Sequence, residues 1–219
     1  MHNIVQNLVD IQNKINAHLD EHKIDKVPKI IAVSKTFKIE KILPLIDHGH
    51  KHFGENKVQE AVDKWTEIKL SNPNIQLHLI GKLQTNKVKF ALKIFDYIHS
   101  VDSEKLAKKI SDEQIKINKK IKIFIQVNIG QEDQKSGTSV NELSSLISYC
   151  NKINLDVVGL MCIPPINEDP VSYFEKMKKL NEENKFNELS MGMSSDYLKA
   201  AMNNATYLRI GSSIFGQRY

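Results

Sequence analysis

Short apolar runs alternate with amphipathic segments along most of the chain. Residues 1–20 place apolar side chains at helical spacing on one face, with polar residues between them. Residues 29–34 form a short run rich in β-branched side chains, which is typical of a strand buried in a parallel sheet. Residues 39–46 return to helical spacing and stop before Gly49. The same order of strand and helix then repeats to the end of the chain.

This repetition predicts an α/β fold, a single (β/α)8 TIM barrel with an extra N-terminal helix that forms one domain over residues 1–219. The seventh strand is the weakest of the eight, and a doubly wound open sheet is the structural alternative. The predicted strands cover residues 29–34, 52–54, 75–80, 97–99, 121–128, 155–161, 188–190 and 206–210. Later helical patterns cover residues 58–68, 86–94, 140–150 and 171–180, with one more beginning near Ser103.

Composition narrows the classes of protein to consider. The net charge is +5, but only two of the 31 basic residues are arginines, Arg209 and Arg218. The lysines alternate with Glu and Asp on helical faces, which favours a solvated surface over a nucleic-acid partner. No apolar run is long enough for a membrane span or a secretion signal. Cys150 and Cys162 lack metal-ligand spacing, so we expect a reduced, cytoplasmic protein that binds no metal and no membrane.

Candidate chemistry lies where the predicted strands end, which is where (β/α)8 barrels carry their functional groups. Lys35 follows the first strand, and an amine there can form a Schiff base with an aldehyde. Gly211 and Ser212 follow the last strand, and such a turn can present backbone N–H groups to a phosphate. Pyridoxal 5′-phosphate (PLP) carries both groups. The plainer alternatives are a solvated Lys35 and an ordinary turn.

Other residues at these strand ends have two interpretations each. Arg209 could form a structural ion pair, or could donate a hydrogen bond to a pyridine nitrogen. Ser194 could cap a helix or bind phosphate, and these roles use the same exposed N–H groups. Asn56 could cap a helix or reach a cofactor ring. His78 lies between apolar residues in a strand, which favours a hydrogen-bonded core histidine over an acid or base.

Three histidines at positions 48, 50 and 52 suggest a metal site at first sight. They span a helix end, a glycine and a strand start, so their rings need not converge. Histidines near the C-terminus of a helix also suit the helix dipole. We therefore do not expect a metal at this cluster.

Motifs along nearly the whole chain resemble the pyridoxal phosphate homeostasis protein family, of the proline synthetase co-transcribed type. The departures from its pattern are minor: Leu77 stands where an aromatic is frequent, and Lys82 replaces a common histidine. The motifs that carry the resemblance are Ala32-Val33-Ser34-Lys35, Phe53-Gly54-Glu55-Asn56, His78-Leu79-Ile80-Gly81, Lys135-Ser136-Gly137, Gly159-Leu160-Met161, Leu189 to Ser194, and Arg209-Ile210-Gly211-Ser212 with Arg218.

The resemblance implies a fold-type III PLP-binding barrel like the N-terminal domain of alanine racemases. It implies PLP held as a Schiff base on Lys35, with Arg209 at the pyridine nitrogen. Phosphate contacts are implied for Ser194, Gly211 and Ser212. The complete expected set of cofactor-binding residues is Lys35, Asn56, His78, Met191, Ser194, Arg209, Gly211 and Ser212.

The resemblance also implies a role in intracellular PLP homeostasis, in which a monomer without turnover buffers PLP or delivers it to PLP-dependent apo-enzymes. The main alternative is a PLP-dependent amino-acid racemase. Racemisation needs two bases, and related racemases obtain one of them from a second domain. We expect no such second domain within residues 1–219. A further hypothesis is a barrel that binds another phosphorylated metabolite without a covalent bond.

Overall fold

A closed barrel of eight parallel strands forms the centre of the computed structural model, which describes residues 3–132 and 134–217. Each strand pairs with the next, and β8 returns to β1 with Tyr207 opposite Lys29 and Ile210 opposite Ala32. This closure confirms the predicted (β/α)8 barrel and excludes the open sheet. The strands are β1 (Lys29–Val33), β2 (His52–Glu55), β3 (Gln76–Leu79), β4 (Tyr97–Val101), β5 (Lys122–Gln126), β6 (Asp156–Met161), β7 (Glu188–Met193) and β8 (Tyr207–Ile210).

Helices surround the barrel, and the extra N-terminal helix α1 packs against α2, α8 and α9. None of the described helices is both long and apolar enough to cross a membrane. The helices are α1 (Asn3–Glu21), α2 (Ile39–Asp47), α3 (Val58–Ser71), α4 (Val88–Ile94), α5 (Glu104–Lys116), α6 (Leu143–Lys152), α7 (Val171–Glu183), α8 (Tyr197–Met202) and α9 (Ser212–Phe215), with a 3-10 helix at Thr85–Lys87.

Two helices begin later than the sequence pattern predicts. The pattern from residue 140 becomes helical only at Leu143, because a turn precedes it in which the N–H of Glu142 donates to Ser139 Oγ at 3.2 Å. The pattern from residue 86 begins as a 3-10 turn before α4. These differences do not move the carboxyl ends of the strands, where the candidate site lies.

Two apolar layers follow from the alternation of side chains along each strand. One set of strand residues packs outward against the helices; there the fully buried Trp65 of α3 lies 4.9 Å from Phe53 between ring centroids. Burial of one such aromatic contributes about 1.5–3 kcal/mol. The other set fills the barrel interior with Ile31, Tyr97, Phe124, Met161 and Tyr207.

Arg218, which carries part of the family resemblance, lies outside the described residues.

Candidate functional site

A cavity of about 630 Å³ opens at the carboxyl ends of the strands. Its volume lies within the range of cavities that bind small molecules and cofactors. Apolar walls come from Val33, Ile80, Ile163 and Met193. Six of the eight residues predicted from the sequence border it: Lys35, Asn56, Ser194, Arg209, Gly211 and Ser212.

Lys35 reaches this cavity because side chains alternate along β1 and its extension. Ile31 lies in the barrel interior, Val33 lines the cavity, and Lys35, two residues further on, lines it as well. The Lys35 side chain is half-buried. The chain then turns sharply, and the N–H of Phe37 donates to the Ser34 carbonyl oxygen at 3.2 Å.

That turn holds a β-branched residue in a conformation that such residues rarely adopt. Thr36 has φ 68°, in the left-handed region. Its N–H donates to Glu60 Oε1 of α3 at 2.5 Å. This bond to α3 offsets part of the backbone strain and fixes the direction in which the turn leaves Lys35.

Behind Lys35, a buried carboxylate joins the first two strands to α3. Glu55 Oε1 accepts hydrogen bonds from Ser34 Oγ at 2.8 Å, Trp65 Nε1 at 2.9 Å and Lys64 Nζ at 2.9 Å. Burial raises the pKa of Glu55, and Lys64, Trp65 and Ser34 oppose that effect. The second carboxylate oxygen, Oε2, has no hydrogen-bond partner among the described residues. The group therefore anchors the end of β1 immediately before Lys35.

Asn56 owes its place at the rim to a close approach of two backbones. A Cβ atom added to Gly81 would overlap the backbone of Asn56. Only glycine permits this distance between the loops that follow β2 and β3. The Asn56 side chain, half-buried, therefore borders the cavity next to Ile80.

Arg209 points from β8 into the barrel and is 4% exposed. Its Nη1 donates to Ser190 Oγ at 2.7 Å, and its Nη2 donates to the Cys162 carbonyl oxygen at 2.8 Å. Burial lowers the pKa of Arg209, but the ordinary arginine value is so high that the guanidinium stays charged. Arg209 also lines the cavity, where further N–H donors of its fork can meet an acceptor.

The turns after β7 and β8 meet at Ser194. Its hydroxyl oxygen accepts hydrogen bonds from the backbone N–H groups of Gly211 at 3.2 Å and Ser213 at 3.4 Å. Ser212, between these two donors, borders the cavity and is exposed. A hydroxyl and a row of backbone N–H groups are donors suited to a phosphate.

This donor set fits PLP. An amine at Lys35 suits the aldehyde, the guanidinium of Arg209 suits the pyridine nitrogen, and the turns at Ser194 and Gly211 suit the phosphate. All four residues border the same cavity.

Two residues of the expected set lie elsewhere. His78 is fully buried below the cavity and makes hydrogen-bond contacts with His52 and His99. Met191 is also fully buried, and its side chain packs outward in the layer between strands and helices. Neither is among the described residues that border the cavity, so the cofactor contacts expected for these two stay predictions without support from the cavity lining.

A bulge in β7 explains why Met193 lines the cavity in place of Met191. Gly192 has φ 88°, and the register with β8 shifts between Ser190 and Met193. One extra residue reverses the alternation of side chains along a strand. Ser190 and Met193 consequently both face inward, although they are three positions apart.

The histidines at 48, 50 and 52 do not converge on one point. His50 Nε2 contacts the His52 carbonyl oxygen at 2.9 Å, while His52 Nδ1 lies 3.0 Å from His78 Nε2. Within the part of the chain that the structure describes, one group of three potential metal ligands lies close together, on the surface of α1: His18, Glu21 and His22.

Sequence reasoning missed several residues that support the site, namely Glu55, Ser190, His99 and Met193. For Ser190 and His99 a signal was present, because polar residues inside otherwise apolar strands need buried partners. Which partner each one finds depends on closure of the barrel, which brings β4 and β7 within hydrogen-bond distance across its interior.

Comparisons with known proteins identify the family of this chain. Residues 7–219 match the family model described as alanine racemase, N-terminal domain. The pyridoxal phosphate homeostasis protein of Pasteurella multocida is 35% identical over 98% of this chain and 97% of its own length. That of Vibrio alginolyticus is 37% identical over 100% of this chain and 99% of its own.

Solved structures show the same fold. The PipY protein of Synechococcus elongatus, in its structure with PLP bound, aligns with a TM-score of 0.80 and 32% identity over 92% of this chain and 100% of PipY. An alanine racemase of Clostridium difficile aligns with a TM-score of 0.76, but its 16% identity supports the fold alone. This chain covers 57% of that racemase. On the strength of the full-length relatives and the matched domain, the chain belongs to the pyridoxal phosphate homeostasis protein family, whose barrel is of the alanine racemase N-terminal type.

Proposed function

We propose that this protein binds PLP in the cavity at the carboxyl end of the barrel, holds it covalently through Lys35, and buffers or delivers it within the cell. The observation that carries the proposal is that Lys35, Arg209 and the turns at Ser194 and Gly211 border one cavity. The names of the relatives and the PLP-bound PipY structure support the same ligand.

Each group has a defined task in this proposal. When bound, PLP supplies an aldehyde for a covalent bond to the Lys35 amine. Arg209 donates to the pyridine nitrogen, and because arginine does not readily release a proton, that nitrogen stays unprotonated. Ser194, Gly211 and Ser212 bind the phosphate. The apolar walls at Ile80, Ile163 and Met193 exclude water from the ring.

A carrier fits the lining of the cavity better than a racemase does. Racemisation needs two groups that exchange protons near neutral pH, one on each face of the substrate α-carbon. Among the described residues that border the cavity, Lys35 supplies the only amine, and none supplies a carboxylate, imidazole, phenol or thiol; the others are apolar, amide, hydroxyl or guanidinium groups. This supports storage and transfer over turnover.

The two cysteines support the cytoplasmic setting that we propose for this role. Cys150 and Cys162 are buried thiols without a disulfide, and burial raises the pKa of each to about 12. Unreactive reduced thiols suit a cytoplasmic protein. We propose a monomer whose partners are PLP and PLP-dependent apo-enzymes.

Borohydride reduction followed by mass spectrometry tests the covalent bond. We expect wild-type protein incubated with PLP to gain one cofactor mass at Lys35 and a visible absorption band, and Lys35→Ala to lose both. Lys38→Ala, an exposed lysine three positions away, is the matched control and should behave as wild type. Unchanged PLP affinity in Lys35→Ala would instead indicate a non-covalent phosphate site.

Incubation of the loaded protein with L-alanine or D-alanine, followed by chiral analysis, tests turnover. We expect no inversion above the rate of free PLP. Delivery is tested by mixing loaded protein with a PLP-dependent apo-enzyme and measuring the activity that returns. Appreciable inversion of alanine would contradict the carrier role.

A further inference from the structure

A row of hydrogen-bonded side chains crosses the barrel interior and ends at Arg209. His52 Nδ1 lies 3.0 Å from His78 Nε2, and His78 Nδ1 lies 2.9 Å from His99 Nε2. His99 Nδ1 lies 2.9 Å from Ser190 Oγ, which accepts the bond from Arg209 Nη1 at 2.7 Å. His52 is the first residue of β2, so this histidine chain begins at the end of the barrel opposite the cavity.

Matching each hydrogen-bond donor to an acceptor gives the histidine chain one direction. Arg209 can only donate, so the Ser190 oxygen accepts from it. If His99 also donated to Ser190, the serine hydrogen would have no acceptor among the described residues. Ser190 therefore donates to His99 Nδ1, His99 Nε2–H donates to His78 Nδ1, and His78 Nε2–H donates to His52 Nδ1.

This direction requires neutral histidine rings, and the surroundings of the histidine chain favour the neutral form. Burial lowers the pKa of His78 and of His99 well below the ordinary value, and the positive charge of Arg209 adds to the effect at His99. At His52 burial lowers the pKa to about 4; His50, Lys29 and Lys51 act in the same direction, and Asp96 opposes them.

Aromatic neighbours fix the planes of the two inner rings. The His78 ring stacks on Tyr97 with centroids 4.4 Å apart and planes 13° apart. The His99 ring stacks on Phe124 with centroids 4.2 Å apart and planes 22° apart. Rings held in this way cannot turn to exchange donor and acceptor, so the direction can change only by movement of protons.

We propose that Ser190, His99, His78 and His52 are positioning residues, a directed hydrogen-bond chain that aims the Arg209 guanidinium at the cofactor ring. The inference rests on the proposed function, because its effect is exerted at the bound PLP. It gives a role to His78, for which the structure shows no contact with the cavity. It also predicts that a change at His52, at the far end of the barrel, alters the cofactor.

The direction itself can be measured without cofactor. NMR of protein labelled with ¹⁵N-histidine at pH 7.5 reports which nitrogen of each ring carries hydrogen. We expect neutral rings with hydrogen on Nε2 at His78 and His99. Hydrogen on Nδ1 of His99, or a charged ring at either position, would overturn the directed chain.

Two variants then test its effect on the cofactor. Ser190→Ala removes the acceptor of Arg209, and we expect PLP retention to weaken by about tenfold. His52→Leu removes the last acceptor without touching the cavity. We expect hydrogen to appear on Nδ1 of His78 in part of the molecules, together with a shift of the visible absorption band of the loaded protein.

His50→Gln is the matched control, since His50 lies two residues from His52 but its ring is not part of the histidine chain. It should leave the tautomers and the absorption band unchanged. Unchanged spectra and PLP retention in both Ser190→Ala and His52→Leu would overturn the positioning role even if the tautomers are as expected. Failure of wild-type protein to retain any PLP would instead overturn the proposed function, and the role at the cofactor with it.

Discussion

Lys64 Nζ lies 2.9 Å from Glu55 Oε1, and both side chains are buried: that of Lys64 is 9% exposed and that of Glu55 is 0% exposed. Lys64 also donates to the Ser34 carbonyl oxygen at 3.0 Å and to Glu60 Oε1 at 2.9 Å. The ion pair therefore joins α3 to the strand end that carries Lys35.

Removing the positive partner alone should be costly. In Lys64→Met, Glu55 remains buried without its counter-charge, and we expect a loss of about 3–5 kcal/mol in the free energy of unfolding. The midpoint of urea unfolding measures this loss. This loss should shrink as the pH is lowered, because Glu55, whose pKa burial already raises, can take up a proton.

The double variant Lys64→Met with Glu55→Gln should recover most of the lost stability. A loss below about 1 kcal/mol in the single variant would contradict the interpretation.

Stability should fall as the pH is lowered from 7 towards 5. Burial lowers the pKa of His50 and of His52 from 6.5 to about 4, so in this window the unfolded chain binds protons that the folded protein does not. Each such histidine contributes up to about 1.4 kcal/mol per pH unit. His78 and His99 act in the same direction, whereas Glu55 opposes them.

Urea midpoints at several pH values check this dependence. The variant His50→Gln should flatten the slope, while His22→Gln, which removes an exposed histidine of α1, should leave it unchanged. A stability that is independent of pH between 7 and 5 would contradict the pKa directions.

Ser194→Ala should discriminate between phosphorylated and unphosphorylated vitamers. The hydroxyl of Ser194 lies where the backbone N–H groups of Gly211 and Ser213 point, and we propose that it binds the phosphate. We expect PLP affinity to fall by about tenfold, because hydrogen bonds to a charged group contribute about 1.5–3 kcal/mol. Affinity for pyridoxal, which lacks the phosphate, should change by less than about twofold.

Fluorescence or absorbance titration with both vitamers measures these affinities. Ser213→Ala is the control, because it removes a hydroxyl from the same turn and keeps the backbone donor. An equal loss for both vitamers would place the phosphate elsewhere.

Gly192→Ala should destabilise the bulge in β7. A side chain is strained at φ 88°, and the added Cβ atom would lie 2.5 Å from the Cβ atom of Ala200. We expect a loss of about 2–4 kcal/mol in the free energy of unfolding, from backbone strain and overpacking together. Gly49→Ala, also at positive φ but with open space around it, should cost less. An equal cost for both variants would show that packing against Ala200 is unimportant.

Periodicity was sufficient to predict the barrel and to place six candidate residues near strand ends, where they border its cavity. Lys35 could be placed because a strand fixes the direction of every second side chain, and Arg209 because the same rule applies to β8. Their roles at a cofactor remain predictions.

The rest depended on local departures from regularity and on contacts across the barrel. Met191 packs away from the cavity because the bulge at Gly192 reverses the alternation, and a glycine inside a strand pattern does not by itself show which way the chain bends. His78 meets His52 and His99 only when three strands curve around a common interior. No spacing along the sequence contains that information.

The row of imidazole, hydroxyl and guanidinium groups inside the barrel should also shape how this protein tolerates mutation. Aliphatic layers tolerate the exchange of one branched side chain for another, because dispersion attraction does not depend on direction. A chain of hydrogen-bond donors and acceptors does depend on direction, since replacing one residue leaves its neighbours without a partner. In a library of single substitutions selected for folding, the outward-facing positions of the strands should therefore drift freely among Ile, Leu and Val, while positions 78, 99, 190 and 209 stay nearly fixed.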